Sequence, residues 1–452
     1  MLGPKRHGME TVRDTVLELS NNKDGSSDMN MRETMTTSRR GLLGGALVAA
    51  SAPVLGPLLG PGIGRARAQA APVLRIGVLT DLSGPYQDLA GPLAVQCAQL
   101  AVEEFGAAAK GLRVEILQGD HQNKADVGAT LARRWYDQDG VDIIVEVANS
   151  AVALAVAGVA KDKNKAYINS GAATSDLTGA HCNANTIHWA YDTYMLAKST
   201  GAAMVRAGGD SWFFVTADYA FGQALQRDVT GFVTEAGGKV LGGVRYPFPG
   251  TTDFSSLLLQ AQASGAKVLG MANAGSDTVN TIKQAQEFGI TGKMKLAGLL
   301  VFLSDVHAMG LRVAQGLVLT NSFYWDMNDR TRAFAERLRA KSPSQRPTMV
   351  QAGTYSSTLH YLKAVHEMGV ARAKADGAAA IAQMKAMPTE DDCFGAGIIR
   401  ADGRKIHPSY LWEVKAPSES RYPYDYYKPV GSTPAEEAFR PPGKGNCSLV
   451  RA

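Results

Sequence analysis

The chain has 452 residues, 45% of them hydrophobic and 20% charged, which is the composition of a globular protein. This length exceeds one ordinary hydrophobic core, so we expect two domains. The net charge is +5, but nine of the 47 Lys and Arg and six of the 42 Asp and Glu lie in residues 1–70. The rest of the chain therefore carries only +2 and has no basic run, which argues against a nucleic-acid-binding protein.

Residues 1–70 have the pattern of an export leader. Arg39 and Arg40 precede an apolar, Gly/Ala-rich run, and Ala68-Gln69-Ala70 supplies small residues for signal cleavage. A transmembrane anchor is the alternative, but three prolines and seven glycines between residues 41 and 64 make a poor spanning helix. The leader predicts twin-arginine export to the periplasm, with removal near Ala70.

The mature chain opens with the apolar strand 74–79, which the polar turn Asp81–Pro85 ends. Strand-like and helix-like segments then alternate. The strands are predicted at 113–117, 141–147 and 166–169, and the helices at 125–136 and 150–160. This alternation predicts a doubly wound parallel sheet.

A second block repeats the same alternation after residue 189. Its strands are predicted at 212–215, 240–246, 268–272, 295–299 and 316–319, and its helices at 221–235, 254–263 and 276–288. Two such blocks predict two lobes. A helical region at 330–387 is expected to return to the first lobe, a strand at 411–414 to join the second, and the segment from Pro417 to form a surface tail.

The sequences IGVLTDLSGPY and INSGAATSDLT resemble the Leu/Ile/Val-binding family of periplasmic solute receptors of ABC transporters, over about residues 73–415. The resemblance implies an α/β fold of two doubly wound parallel-sheet lobes joined by a three-stranded hinge, with a ligand cleft between the lobes. The crossings are expected near 188–192, 321–325 and 403–408. We therefore assign 71–189 plus about 325–403 to lobe 1, and 190–324 plus about 404–452 to lobe 2 and the tail.

The candidate ligand contacts of lobe 1 follow its strands. Asn149 and Ser150 begin a helix, whose free N–H groups attract anions, although an ordinary N-cap is an equal alternative. Gly171, Ala172 and Ala173 form a small-residue loop that would let a ligand approach the backbone, or else a plain tight turn. By resemblance, Ser150 holds the carboxylate of the ligand, and Gly171 and Ala173 are the next contacts. The family's threonine hydroxyl is missing at Ala173.

In lobe 2 the pattern departs from the family at Leu300. The resemblance implies a glutamate there, which holds the ammonium of an amino acid. Asn273 is a further candidate contact, and Asp277 or Asp305 could replace the glutamate, although both could equally cap helices. A buried ammonium needs a charged partner. We therefore expect a carboxylate without an ammonium, such as an aromatic or organic acid, with a branched-chain amino acid as the alternative.

Aromatic residues are frequent where the cleft is expected. Four of them are candidate walls of the ligand pocket, with core or hinge packing as the alternative: Tyr86, Tyr194, Tyr219 and Phe221.

Enzyme signatures are missing from the sequence, which has no nucleophile elbow, P-loop or zinc-protease motif. We expect no catalytic residue, no cofactor and no metal site. Cys182 and Cys447 could form a disulfide in the oxidising periplasm, and Cys97 is expected to be a buried thiol.

These features predict a monomeric periplasmic receptor that closes on a small solute and delivers it to the permease and ATPase of an inner-membrane ABC transporter. A sensing module that signals through a membrane partner is the alternative. A periplasmic enzyme is the third hypothesis, and it would need a catalytic set that the sequence does not present.

Overall fold

The computed structural model of the chain describes residues 73–450. The predicted leader, with Arg39, Arg40 and the cleavage point at Ala70, lies outside the described residues. The described chain forms two parallel sheets and a smaller antiparallel sheet, with helices packed on them. This confirms the predicted fold class.

Among residues 73–450, no helix combines the length and the apolar character needed to cross a membrane.

The first sheet consists of β1 Val73–Thr80, β2 Arg113–Asp120, β3 Ile143–Glu146, β4 Ala166–Asn169 and β5 Thr186–His188. All five strands are parallel, in the order β2-β1-β3-β4-β5. The central strands are buried on both faces, because helices cover both sides of a doubly wound sheet. Within β1, Ile76 and Val78 belong to one hydrophobic core and Leu79 to the other. Because both faces of these strands are buried, their sequences are apolar runs, which is why the sequence predicted them as strands.

Three helices connect the strands of the first sheet. They are α1 Gly91–Phe105, α2 Ala125–Asp137 and α3 Ser150–Asp162. Helices α2 and α3 pack against each other on one face of the sheet, and α1 lies on the opposite face.

The second sheet follows α4 Thr193–Leu196, a π-helical turn at Ala197–Gly201, and α5 Ala202–Arg206. Its parallel strands are β6 Ser211–Ala217, β7 Lys239–Tyr246, β8 Val268–Ala272 and β9 Lys295–Gly298. The order is β7-β6-β8-β9. The helices that follow these strands are α6 Ala220–Glu235, α7 Ser255–Ala263, α8 Ser276–Glu287, α9 Leu303–Met309 and α10 Leu311–Ala314.

A helical region then returns to the first sheet, as the sequence predicted. It contains α11 Asp329–Arg339, α12 Met349–Met368, α13 Val370–Ala375 and α14 Gly377–Ala386. Helix α12 packs on α1 and β3, and α14 packs on β4. Because α12 is buried on nearly every side, its sequence has little amphipathic character.

The third sheet is antiparallel and includes part of the predicted tail. A strand β10 Val318–Asn321 and a short hairpin, β11 Ile398–Ile399 with β12 Lys405–Ile406, precede β13 Ser409–Val414 and β14 Tyr427–Thr433. The order in the sheet is β10-β13-β14. The predicted surface tail after Pro417 therefore contains an edge strand, β14, that the sequence analysis did not identify. Pro429 made this segment look unlike a strand in the sequence. A proline is tolerated there because β14 is an edge strand, which has one side without strand pairing.

Three segments connect the two parallel sheets, after β5, after β10 and around β12. Arg404 holds two of them together. Its guanidinium is fully buried and donates hydrogen bonds to the carbonyls of Trp189 (2.7 Å) and Tyr191 (3.0 Å). The ring of Phe439 covers it, with the guanidinium carbon 4.1 Å from the ring centroid.

The C-terminal segment passes from the third sheet to the first. After β14 it forms the short helix α15 Ala435–Ala438, and Arg440 then donates a hydrogen bond to the Ser175 carbonyl (2.6 Å). A disulfide joins Cys447 to Cys182, with 5.5 Å between the Cα atoms. Cys97 is a buried free thiol.

Candidate functional site

The loops at the carboxyl ends of the first and second sheets meet around a small cavity. This edge is where parallel sheets bind small ligands. Residues of the first sheet and the hinge line one side: Tyr86, Leu89, Ala148, Ala173 and Tyr191. Residues that follow β6, β8 and β9 line the other side: Tyr219, Phe221, Ala274, Leu300 and Phe302. None of these described lining residues carries a charge.

The loop after β1 is organised by Asp81. Its buried carboxylate accepts hydrogen bonds from the backbone N–H groups of Gly84 (2.7 Å) and Tyr86 (2.8 Å), and from the side-chain amide of Asn123 (2.6 Å). A carboxylate that accepts several N–H groups holds a turn firmly, because charge-assisted hydrogen bonds are strong. Asp81 therefore fixes the position from which Tyr86 enters the cavity.

Tyr86 meets the second sheet across the cavity. Its hydroxyl forms a hydrogen bond with the hydroxyl of Tyr219. Burial raises the pKa of both phenols, so both remain neutral. The ring of Phe248 stacks on both tyrosines, with centroid distances of 5.3 Å to Tyr86 and 4.5 Å to Tyr219.

Asn149 and Ser150 lie behind the cavity wall at the start of α3. The Asn149 side chain caps the helix by accepting hydrogen bonds from the N–H groups of Ala151 (2.9 Å) and Val152 (3.1 Å). The hydroxyl of Ser150 accepts a hydrogen bond from the N–H of Thr174 (3.2 Å). Ser150 thus joins the helix start to the loop that carries Ala173, which does line the cavity, whereas Asn149 caps its own helix.

The 171–173 loop is held from both ends. The Tyr191 hydroxyl donates to the Gly171 carbonyl (2.5 Å), and the Asn169 amide donates to the Ala172 carbonyl (2.7 Å). Gly171 has to be a glycine, because a Cβ there would overlap Glu146 Oε1 and the Ala148 backbone. Gly171 and Ala172 therefore support the cavity from behind.

The two polar candidates that follow β8, Asn273 and Asp277, form hydrogen bonds with neighbouring side chains of the second sheet and its helices. Asn273 exchanges hydrogen bonds with Thr278 (2.8 Å) and Thr281 (3.1 Å), and Asp277 accepts one from the Tyr246 hydroxyl (2.8 Å). Burial raises the pKa of Asp277 to about 6.

Asp305 acts as a helix cap. Its carboxylate accepts a hydrogen bond from the N–H of Phe302 (2.9 Å), and burial raises its pKa to about 7.

Tyr194 lies away from the cavity. Its ring packs edge-on against Phe232, with 5.0 Å between the centroids. Of the predicted aromatic walls, the structure brings together Tyr86, Tyr219 and Phe221.

Sequence reasoning missed five lining residues and the covering ring of Phe248. The lining residues are Leu89, Ala148, Ala274, Phe302 and Tyr191. All five occupy loops that follow strands of the two parallel sheets, so their position in the sequence was a usable signal even though most of their side chains are apolar.

Comparisons with known proteins agree with this architecture. A family model described as periplasmic binding protein matches residues 73–420. A crystal structure of a periplasmic binding protein from Burkholderia mallei is 49% identical, with a TM-score of 0.80, over 83% of this chain and 99% of that chain. A branched chain amino acid ABC transporter periplasmic ligand-binding protein from Burkholderia xenovorans LB400 is 39% identical, with a TM-score of 0.72 and the same coverage.

The chain is also similar in sequence to the Leu/Ile/Val-binding protein homolog 4 of Brucella abortus (strain 2308). It is 26% identical over 287 residues, which is 60% of this chain and 67% of that protein. The family consists of ligand-binding proteins of transporters rather than enzymes, and it implies a periplasmic location. Since the family model spans more than half of the sequence, the chain belongs to the periplasmic binding proteins, in the Leu/Ile/Val-binding family that serves ABC transporters.

Proposed function

We propose that this protein is the periplasmic receptor for a small aromatic or other organic carboxylate without an ammonium group, which it delivers to an ABC permease. One observation carries the proposal: no charged side chain lines the described cavity, and Leu300 occupies the position where the resemblance implies a glutamate. An ammonium buried there would lack a charged partner, which costs about 3–5 kcal/mol. An uncharged aromatic or aliphatic group has no such cost.

The proposed ligand matches the remaining surface of the cavity. The rings of Tyr86, Tyr219 and Phe221 offer flat apolar walls, and the tyrosine hydroxyls offer polar contacts. We place the carboxylate toward the start of α3 and the loop at Ala173, where the helix dipole favours an anion. Ser150 supports this end through its bond to Thr174.

We infer that ligand capture occurs by closure of two lobes built on the two parallel sheets, 71–189 with about 325–403 and 190–324 with about 404–452. Contacts across the cleft support this inference. The N–H of Ser276 donates to the Pro85 carbonyl (3.3 Å), and Arg227 pairs with Asp176 (3.0 Å). A ligand that contacts both lobes would favour the closed state, which the permease would then recognise. The leader would supply the export signal.

A thermal-shift screen of residues 71–452 tests the proposal. Phenylalanine and leucine are compared with acids of the same side chains, namely 3-phenylpropanoate, phenyllactate, 4-methylpentanoate and its 2-hydroxy derivative, together with benzoate. A ligand that binds only the native state raises the melting temperature. We expect shifts from the acids and none from the amino acids. A strong shift from leucine or phenylalanine alone would refute the proposal and make the protein an amino-acid receptor.

Leu300→Glu tests the position that carries the argument. The variant restores a carboxylate, so it should acquire a thermal shift with leucine or phenylalanine and lose most of the shift with the matching acids, because like charges repel. Leu300→Gln is the matched control, similar in size but uncharged, and should gain no amino-acid response. Equal responses of the two variants would remove Leu300 as the determinant of specificity.

A further inference from the structure

Phe248 contacts residues from both sides of the cavity. It lies in the loop after β7, on the second-sheet side, and its half-buried ring stacks on Tyr86 from the first-sheet side and on Tyr219 from its own side. The interplanar angles are 24° and 14°, so the three rings form a nearly parallel stack. Phe248 itself is not among the residues that line the cavity.

The loop that carries Phe248 is hydrogen-bonded on both sides of this residue. The Tyr246 carbonyl accepts a hydrogen bond from the N–H of Asp218 (2.9 Å), and its hydroxyl donates to Asp277 (2.8 Å). On the other side of Phe248, the Thr251 hydroxyl donates to the Pro247 carbonyl (2.8 Å). The ring is therefore presented from a fixed base rather than from a free loop.

Tyr86 is fixed equally well on the opposite side of the cleft. Asp81 holds its backbone, and the hydroxyl bond to Tyr219 joins the two sides. Because Phe248 covers this pair, it shields the hydroxyl bond from water, which strengthens a hydrogen bond. Separation of the two sheets would have to break the hydroxyl bond and the stack of Tyr86 on Phe248 together.

We propose that Tyr86, Tyr219 and Phe248 form an aromatic latch that holds the cleft closed, and that Phe248 is its closing residue. Phe248 is a positioning residue, which acts on the ligand through the two tyrosines. The latch rests on the proposed function in so far as the cleft is the ligand site. It adds that closure has its own stabilising contact, so that the closed state forms even without ligand.

Hydrogen–deuterium exchange of the ligand-free protein tests the latch. The N–H of Ser276, an exposed residue, is bonded across the cleft to the Pro85 carbonyl, so its exchange reports cleft opening. An aromatic pair contributes about 0.5–1.5 kcal/mol beyond its buried area, which predicts exchange about twofold to tenfold faster in Phe248→Ala. Phe248→Leu should give an intermediate rate, and Phe288→Ala, an exposed ring at the end of α8, should match the wild type.

Peptides of β3 serve as the internal reference, because their exchange should be unchanged if the variant is folded. If Phe248→Ala disturbs them, Tyr219→Phe replaces it, since that variant removes only the hydroxyl bond. Unchanged exchange at Ser276, or a Ser276 amide that is already unprotected in the wild type, would overturn the latch. This experiment contains no ligand, so its failure is distinct from failure of the thermal-shift screen.

Discussion

Glu146 is a buried carboxyl in an unusual place. It ends β3 with a φ of 81°, and Val147 follows with a φ of 62°, a left-handed conformation that is costly outside glycine. Within the described residues neither carboxyl oxygen has a hydrogen-bond partner by distance and angle, although the Thr80 hydroxyl lies close by. Burial raises the pKa of Glu146 to about 8. Strain and an unpaired carboxyl directly behind Gly171 are typical of functional sites.

The raised pKa predicts a pH dependence of stability. Since the folded state binds the Glu146 proton more tightly than the unfolded state, the free energy of unfolding falls as the pH rises from about 4.5 to about 8. Asp277 and Asp305 contribute with the same sign. Glu146→Gln removes only its own part, so the wild type should lose about 2 kcal/mol more than this variant between pH 6.5 and 8.5.

Urea unfolding at several pH values measures this difference. Glu287→Gln, at an exposed position on α8, is the control and should follow the wild type. Parallel pH profiles for the wild type and Glu146→Gln would contradict the assignment of a buried, protonated Glu146.

The strands and helices themselves were largely predictable. The β4 and β8 runs were predicted at their observed bounds, Ala166–Asn169 and Val268–Ala272, because a short apolar run between polar turns has few other uses in a doubly wound fold. Phe248 was not predictable in the same way. It stands between Pro247 and Pro249, a pattern that indicates only a turn, and its partners come from loops distant in sequence.

In the loop after β1, we expect the single carboxylate of Asp81 to determine the stability of the whole turn. Gly84 and Tyr86 donate to different oxygens of Asp81, so Asp81→Asn keeps an acceptor for only one of them and places its NH2 group against the other N–H. We expect a loss of about 2 kcal/mol of stability. The loop should also exchange faster with deuterium over residues 82–87. Asp88→Asn, an exposed neighbour, is the matched control. Equal stability of the two variants would mean that the turn holds Tyr86 without the carboxylate.

Some of the predicted ligand contacts line the cavity, and the others lie behind its wall or away from it. Tyr86, Ala173, Tyr219, Phe221 and Leu300 line it, because they follow strand ends and point into the cleft. Ser150 is a predicted ligand contact because it begins a helix, but its hydroxyl accepts a hydrogen bond from the N–H of Thr174. Sequence pattern identifies the loops that meet at the cleft, whereas the partner of each polar atom depends on contacts between distant segments.

At the scale of the whole molecule, the C-terminal segment connects the third sheet to the first. Strand β14 pairs with β13, Phe439 covers Arg404 at the hinge, and Cys447 is joined to Cys182 beside the first sheet. The last residues of the chain that the structure describes therefore lie against the first sheet. The segment crosses the hinge region and is fixed at both ends.

The disulfide encloses a loop with a sequence separation of 265 residues, so its main predicted effect is on the unfolded chain. We expect the double variant Cys182→Ser/Cys447→Ser to lose about 2–4 kcal/mol of stability, because the unfolded chain gains conformational freedom. Urea unfolding with and without dithiothreitol measures this loss. The reductant should lower the midpoint of the wild type to that of the double variant and leave the double variant unchanged, since Cys97 and Cys393 are free and buried. A wild-type midpoint that the reductant does not change would show that the C-terminal segment is held by its packing on Arg404 and Ser175 rather than by the covalent bond.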